Sequence, residues 1–328
     1  MNTSRRSFLK ASALSLPLAY GFVGSRVFAA SSAASGVRFG VQTYSFRDML
    51  NTPGDMADKM IAAMRELGLT ECEVFEPTLQ PPELSADAPW RMIAGKPTKA
   101  SLMGAPPAGA PTAAQLANRE AIRQWRLGPG VDDIEAAAKK FQRAGIRVLA
   151  FNYTLKDGYG DDEIERGLQM TRALGTDILA ASTTLTMAKR VVPLFEKHKV
   201  LLSVHGHSNL SDPNQFATPE SFAKALAMSS YYRVNLDVGH FAASGFDPVD
   251  YIRRNHASIT HLHIKDRKKN NGANMPLGQG DTPVAAILQL LKKEAYPIPA
   301  YIEYEYAGAG TSTQEVGRCL EYAKSVLA

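Results

Sequence analysis

The chain has 328 residues, with 37 lysines and arginines against 32 aspartates and glutamates, and two cysteines. Four of the basic residues lie in the first thirty, which hold no acidic residue, so the rest of the chain carries 33 basic against 32 acidic side chains. A near-neutral chain lacks the basic field that most nucleic-acid-binding proteins use, and cysteines outside any Cys-x-x-Cys or Cys-x-x-His spacing indicate no cysteine-bound metal. We therefore expect no nucleic-acid partner.

Residues 1–30 are typical of an export signal. Residues 4–10 form a twin-arginine motif, Ser-Arg-Arg-Ser-Phe-Leu-Lys, followed by a weakly apolar stretch and by small residues where a peptidase could cut. The apolar stretch is shorter than the roughly 20 residues of a membrane span, and no later segment is long and uncharged enough to span. We predict a twin-arginine signal at 1–30, a linker at 31–36 and a periplasmic mature protein with no membrane insertion.

Short apolar, β-branched or aromatic runs recur along the rest of the chain, and each is followed by a segment with helical periodicity. The runs are 38–43, 71–75, 147–152, 177–181, 200–205, 232–237, 259–264 and 300–304. Eight strands that alternate with helices predict a single (β/α)8 TIM barrel over residues 37–328, since this fold typically needs about 250 residues.

Residues 77–130 interrupt the alternation of strands and helices. They are rich in proline, glycine and alanine, and residues 104–111 read Gly-Ala-Pro-Pro-Ala-Gly-Ala-Pro. We interpret the segment as a long excursion between the second and third strands. Two roles stay open for it, a lid over the mouth of the barrel and a passive surface loop.

Polar side chains follow the predicted strands at the end where TIM barrels carry their active sites. They are Glu73, Glu76, Asn152, His205, His207, Asp237, His240, His263, Lys265, Asp266, Glu303 and Glu305. Imidazoles mixed with carboxylates suit Zn²⁺, Mn²⁺, Fe²⁺ or Co²⁺. We expect His261 and His263 to point to opposite faces of their strand, which gives His261 a structural role, and His207 could instead support its loop.

Four motifs carry a more specific signal. They are Asp-Val-Gly-His at 237–240, His-Leu-His-Ile-Lys-Asp at 261–266, Gly-Gln-Gly-Asp at 278–281 and Ile-Glu-Tyr-Glu-Tyr at 302–306. In this order, and at these strand ends, they resemble the signatures of the xylose isomerase-like sugar isomerase/epimerase group. The resemblance runs from about residue 36 to the C-terminus.

The resemblance implies one divalent metal ion held by a glutamate, an aspartate, a histidine and a second glutamate on four strands. The last three positions correspond to Asp237, His263 and Glu303, with Glu305 as the competitor for the last. At the first position many members have Glu-Asn-His, whereas this chain has His-Gly-His, so His205 replaces a carboxylate. Imidazole is still a good ligand for zinc and its neighbours.

The resemblance also implies a reaction that removes a proton beside a sugar carbonyl, with the metal stabilising the enediolate oxygen. Family epimerases use two metal-bound glutamates, and only Glu303 is in place here. We assign Glu303 as the base, His207 or His240 as its partner, and Lys265 as the group that stabilises oxyanion charge. Substrate contacts are predicted for Glu73, Asn152, Gln279 and Glu305.

The sequence favours a metal-dependent sugar isomerase or epimerase whose partner is a small-molecule carbohydrate. A lyase that eliminates from a keto-sugar or 3-keto-glycoside needs only one base and is the second hypothesis, and a non-catalytic sugar-binding barrel is the third. Related apurinic-site endonucleases use more metal ions and a basic surface, which this near-neutral chain lacks. A nicotinamide dehydrogenase would need Gly-x-Gly-x-x-Gly after an early strand, and the sequence has none there. We interpret the basic run 267–269 as a solvated loop, and the oligomeric state, a homo-oligomer included, stays open.

Overall fold

The computed structural model describes residues 33–84 and 112–328. The predicted twin-arginine signal and the run at 104–111 lie outside the described residues. No helix within the described ranges is long and apolar enough to cross a membrane.

Eight parallel strands of the described chain close into a barrel. In chain order they are β1 Val37–Gln42, β2 Glu71–Phe75, β3 Arg147–Asn152, β4 Ile178–Ser182, β5 Leu201–His205, β6 Tyr232–Asp237, β7 Ile259–Ile264 and β8 Ala300–Ile302. Each strand pairs with its neighbour in the chain, and β8 pairs back onto β1. The predicted single TIM barrel is therefore confirmed, because each predicted run matches one strand to within two residues.

Helices surround the barrel. The α-helices of the described ranges are α1 Met56–Glu66, α2 Ala113–Leu127, α3 Gly130–Arg143, α4 Asp161–Ala173, α5 Leu185–His198, α6 Pro219–Leu226, α7 Val238–Ala243, α8 Pro248–Asn255, α9 Val284–Glu294 and α10 Ser312–Leu327. Thr112, Thr218 and Thr311 begin α2, α6 and α10 with capping boxes, in which the threonine hydroxyl accepts from a backbone N–H of the first turn.

Helix α2 belongs to the predicted excursion, and a buried arginine at its end fixes it to the barrel. The Arg126 guanidinium donates to Glu76, just after β2, at 2.9 and 3.2 Å, and to Glu163 of α4 at 2.5 Å. It also lies over the rings of Tyr153 and Tyr159, 4.8 Å from each centroid. We call these five residues the Arg126 cluster, which holds α2 against the β2 and β3 side of the mouth.

The floor of the barrel, at the N-terminal ends of the strands, is closed by an aromatic ring. Tyr301 is fully buried and its hydroxyl donates to Glu71 at 3.2 Å. A side chain at Gly40 would overlap the Tyr301 ring and the Glu71 carbonyl oxygen, so only glycine fits beside it. We call Gly40, Glu71 and Tyr301 the floor, and the polar layers described next lie above it.

Candidate metal centre

Four buried side chains from consecutive strands meet at the mouth of the barrel. His205 ends β5, Asp237 ends β6, His263 lies in β7 and Glu303 directly follows β8. One ligand atom from each lies within 4.8 Å of the others. Asp237 and His263 are Cα partners in the parallel ladder, which brings their side chains out at the same level. We call these four residues the metal-type cluster.

The donor atoms of the metal-type cluster converge on one another. His263 Nδ1 lies 3.1 Å from His205 Nε2 and 3.1 Å from Glu303 Oε2, and His205 Nε2 lies 3.6 Å from Asp237 Oδ2. The other ring nitrogen of His205 is buried without a hydrogen-bond partner. Two imidazoles and two carboxylates at this spacing suit a divalent transition metal or zinc, so the residues present fit such an ion.

Lys265 brings positive charge to this cluster. Its ammonium lies 2.9 Å from Asp237 Oδ2, 2.8 Å from Glu303 Oε2 and 2.7 Å from Glu305 Oε2. Burial opposes ionisation of Glu303, but Lys265 and His263 outweigh it and lower the pKa of Glu303 to about 2. One ammonium faces three carboxylates, so the mouth favours additional positive charge.

The two glutamates after β8 occupy different places. Glu303 lies in the metal-type cluster, whereas Glu305 contacts Lys265 and accepts from Asn274 Nδ2 at 3.3 Å. The Glu305 side chain is 18% exposed, against 8% for Glu303. Glu305 therefore lies closer to the opening of the barrel, where a substrate would approach.

His207 and His240 stand beside the metal-type cluster, with ring centroids 5.0 Å apart. Burial, together with the nearby positive charge of His205 and Lys265, lowers the pKa of His207 to about 3. Burial also holds the pKa of His240 well below its ordinary value. Both pKa shifts favour the neutral form of the imidazole.

Arg267 determines which nitrogen of His240 carries the proton. The Arg267 guanidinium lies 2.6 Å from His240 Nδ1, and a guanidinium can only donate, so Nδ1 accepts and the proton is on Nε2. The Ser208 hydroxyl donates to Asn271 Oδ1 at 2.5 Å and accepts from Arg267 at 2.8 Å. His240 thus presents an N–H toward the Asp237 side of the mouth and acts as a donor.

The interpretation of 267–269 as a solvated loop is wrong for its first residue. Arg267 is 8% exposed and its guanidinium also donates to the Gly272 carbonyl at 2.7 Å. The neighbouring Asp266 is buried and accepts from the backbone N–H groups of Gly278, Gly280 and Thr282 at 2.9, 2.8 and 3.1 Å. Asp266 therefore fixes the Gly-Gln-Gly turn, a role that the motif alone did not indicate.

A second polar layer, between the floor and the metal-type cluster, is centred on Glu73. Its carboxylate accepts from Gln42 Nε2 at 2.9 Å, Asn152 Nδ2 at 2.5 Å and Asn235 Nδ2 at 3.2 Å, and it contacts both His261 and His263. We call it the Glu73 layer. Glu73 has no exposed surface, so the structure places it beneath the predicted substrate position, and Asn152 lies there with it.

The prediction that His261 and His263 point to opposite faces is wrong. Both Nε2 atoms contact Glu73 Oε2 inside the barrel, because residues two apart on a strand share a face. Gln42 and Asn235 were missed altogether. Asn235 stands two residues before Asp237, and that same spacing could have identified it.

Gln279 is not brought to the metal-type cluster by any described contact. It is exposed in the turn after residue 276 and lines a surface cavity of about 380 Å³ together with Tyr306 and Arg318. Trp125 and Tyr153, on the β2 and β3 side of the barrel, are buried in the core.

Comparison with known proteins fits this geometry. A family model described as a xylose isomerase-like TIM barrel matches residues 112–325, more than half of the chain. The chain belongs to the xylose isomerase-like TIM barrel family. No curated protein matches it by sequence.

Several solved structures of similar fold align with most of this chain. One is a probable 3-DHS dehydratase, AsbF, from Bacillus anthracis, at 14% identity over 86% of this chain and 97% of that chain, with a TM-score of 0.57. A sugar phosphate isomerase/epimerase from Parabacteroides distasonis is 19% identical over 91% and 97%, with a TM-score of 0.55. An IolI protein with a bound zinc atom is 14% identical over 88% and 97%, with a TM-score of 0.58. At these identities the likeness establishes the fold.

Proposed function

We propose that the chain is a metal-dependent sugar isomerase or epimerase that removes a proton beside a carbonyl. The observation that carries this proposal is the metal-type cluster with the Lys265 ammonium against both of its carboxylates. His205, Asp237, His263 and Glu303 would hold one divalent ion, Zn²⁺, Mn²⁺, Fe²⁺ or Co²⁺. When bound, such an ion supplies polarisation of a carbonyl oxygen.

The other chemical roles are assigned to side chains at the mouth of the barrel. The lowered pKa of Glu303 keeps this carboxylate ionised, so we assign it as the group that accepts the proton. Lys265 lies 2.8 Å from Glu303 and provides positive charge where oxyanion charge would develop. His240 presents Nε2–H as a hydrogen-bond donor to the substrate, and Glu305 is placed to contact sugar hydroxyls.

Deuterium uptake tests the assigned base. Wild type and Glu303→Gln are incubated with keto-sugars in deuterated water, and label at the carbon beside the carbonyl is followed by NMR. Because general acid–base catalysis contributes about 10²–10⁴-fold and Glu303 is also a cluster residue, uptake should fall by orders of magnitude. Glu321→Gln, at an exposed position of α10, is the control and should exchange like wild type. Undiminished uptake by Glu303→Gln would contradict the assignment.

A lyase is the second candidate, and the imidazole of His205 favours it. Return of a proton to the opposite face of the carbon would use a second carboxylate, whereas expulsion of a β-leaving group needs only the first base. Wild type given a 3-keto-glycoside should then release the leaving group, and His205→Glu should raise epimerisation relative to elimination. Efficient inversion by wild type, with none by His205→Glu, would show that the imidazole is itself the second catalytic group. Metal binding without any C–H exchange would support a non-catalytic sugar-binding barrel.

We also propose export to the periplasm through the twin-arginine pathway, on the basis of the motif at residues 4–10. Arg5→Lys combined with Arg6→Lys should leave the protein in the cytoplasmic fraction. Unchanged export of the double variant would contradict the proposal.

A further inference from the structure

The two imidazoles of the metal-type cluster are supported differently. His263 has its Nδ1 among the cluster atoms and its Nε2 2.8 Å from Glu73 Oε2. His205 has its Nε2 in the cluster, and its Nδ1 is buried with no hydrogen-bond partner. His263 therefore has a carboxylate at the ring nitrogen that faces away from the cluster, whereas the corresponding nitrogen of His205 has no partner.

We propose that Glu73 is a positioning residue that fixes the orientation and proton of His263, so that Nδ1 faces the metal as a bare lone pair. This inference rests on the metal of the proposed function. A carboxylate behind a ligand histidine accepts its remaining N–H, which sets the tautomer and increases the basicity of the ligating nitrogen. The contact from Glu73 to His263 has this arrangement.

The surroundings of Glu73 show why it acts as an acceptor and not as a ligand of a second ion. Glu73 and the two histidines of β7 are also close enough to hold a cation. However, the amide nitrogens of Gln42 and Asn152 both donate to Glu73 Oε1, and the Asn235 amide nitrogen lies 3.2 Å from Glu73 Oε2 and 3.0 Å from His263 Nε2. The two amide donors on Oε1 fix the carboxylate in place, so that Oε2 faces the imidazole nitrogen as a hydrogen-bond acceptor.

The test measures metal affinity and the metal's spectrum, with no assay of turnover. Co²⁺ and Zn²⁺ binding to wild type and Glu73→Gln is measured by competition with a chelator, and the visible absorption of the Co²⁺ form is recorded. Loss of a carboxylate behind a ligand histidine typically weakens binding about 10–100-fold, so we expect that loss together with a changed Co²⁺ band. Glu71→Gln is the matched control, since Glu71 is a buried glutamate of the same strand whose side chain contacts Tyr301.

The outcomes separate this inference from the proposed function. Wild type that binds neither ion would overturn the proposed metal site itself. Wild type that binds, with Glu73→Gln equal in affinity and spectrum, would overturn only the role of Glu73. Should Glu73→Gln fail to fold, ¹⁵N NMR of the zinc-loaded wild type decides. Ligation through His263 Nδ1 with a protonated Nε2 supports the inference, and ligation through Nε2 overturns it.

Discussion

The two halves of the barrel differ in what their strands deliver to the mouth. Strands β5 to β8 supply the metal-type cluster and Lys265, whereas β1, β2 and β3 supply Gln42, Glu73 and Asn152 to the layer beneath it. Besides Glu73, the β2 and β3 side holds the buried charges of the Arg126 cluster, in which one guanidinium pairs with two carboxylates. The charges of the β5 to β8 half thus surround a candidate cation site, whereas those of the Arg126 cluster are ion-paired with one another.

The largest effect should come from removing a carboxylate of the metal-type cluster, on the β5 to β8 side. Asp237→Asn replaces a carboxylate that faces Lys265, His205 and His240, so we expect metal retention to be lost while the barrel stays folded. Metal content after dialysis and circular dichroism measure the two properties. Asp250→Asn, at the Asp250–Arg254 surface pair of α8, should keep its metal. Full occupancy in Asp237→Asn would remove the assignment.

Removing the Arg126 guanidinium from the β2 and β3 side should lower the free energy of unfolding and leave metal affinity unchanged. Arg126→Met leaves Glu76 and Glu163 as buried charges without their partner, which costs about 3–5 kcal/mol of unfolding free energy. Denaturant unfolding measures this loss. Arg123→Met, which removes an exposed pair with Asp162 from the same helix, should cost no more than about 1 kcal/mol. Equal stabilities of the two variants would show that the Arg126 cluster does not hold α2.

The smallest expected effect lies in the floor, below both halves. Gly40→Ala places a methyl group against the Tyr301 ring and should cost about 1–3 kcal/mol through overpacking. Gly158→Ala, where an added methyl group meets no atom within 4 Å, should change stability little. Thermal unfolding of both variants makes the comparison, and a Gly40→Ala variant as stable as wild type would mean that both the Tyr301 ring and the Glu71 backbone can move aside.

The fold could be predicted because each barrel strand is a short apolar run. The site residues at the strand ends could be predicted because core packing does not explain a charged or imidazole side chain there. The Glu73 layer was harder to predict, since a carboxylate with no exposed surface looks the same in sequence as one at the mouth. Arg126 and Arg267 could not be placed from sequence at all. Arg126 meets a partner 50 residues away, and Arg267 lies in a basic run that is typical of solvated loops.

The buried Tyr301 ring separates the metal-type cluster from the N-terminal end of the barrel. Tyr301 and the fully buried Glu73 layer lie between the metal-type cluster and the N-terminal end of the strands. Under the proposed function, a sugar would therefore enter and its product would leave by the mouth, one after the other. Under the proposed function, a proton that Glu303 took from a bound sugar would either return to that sugar or pass to water at the mouth.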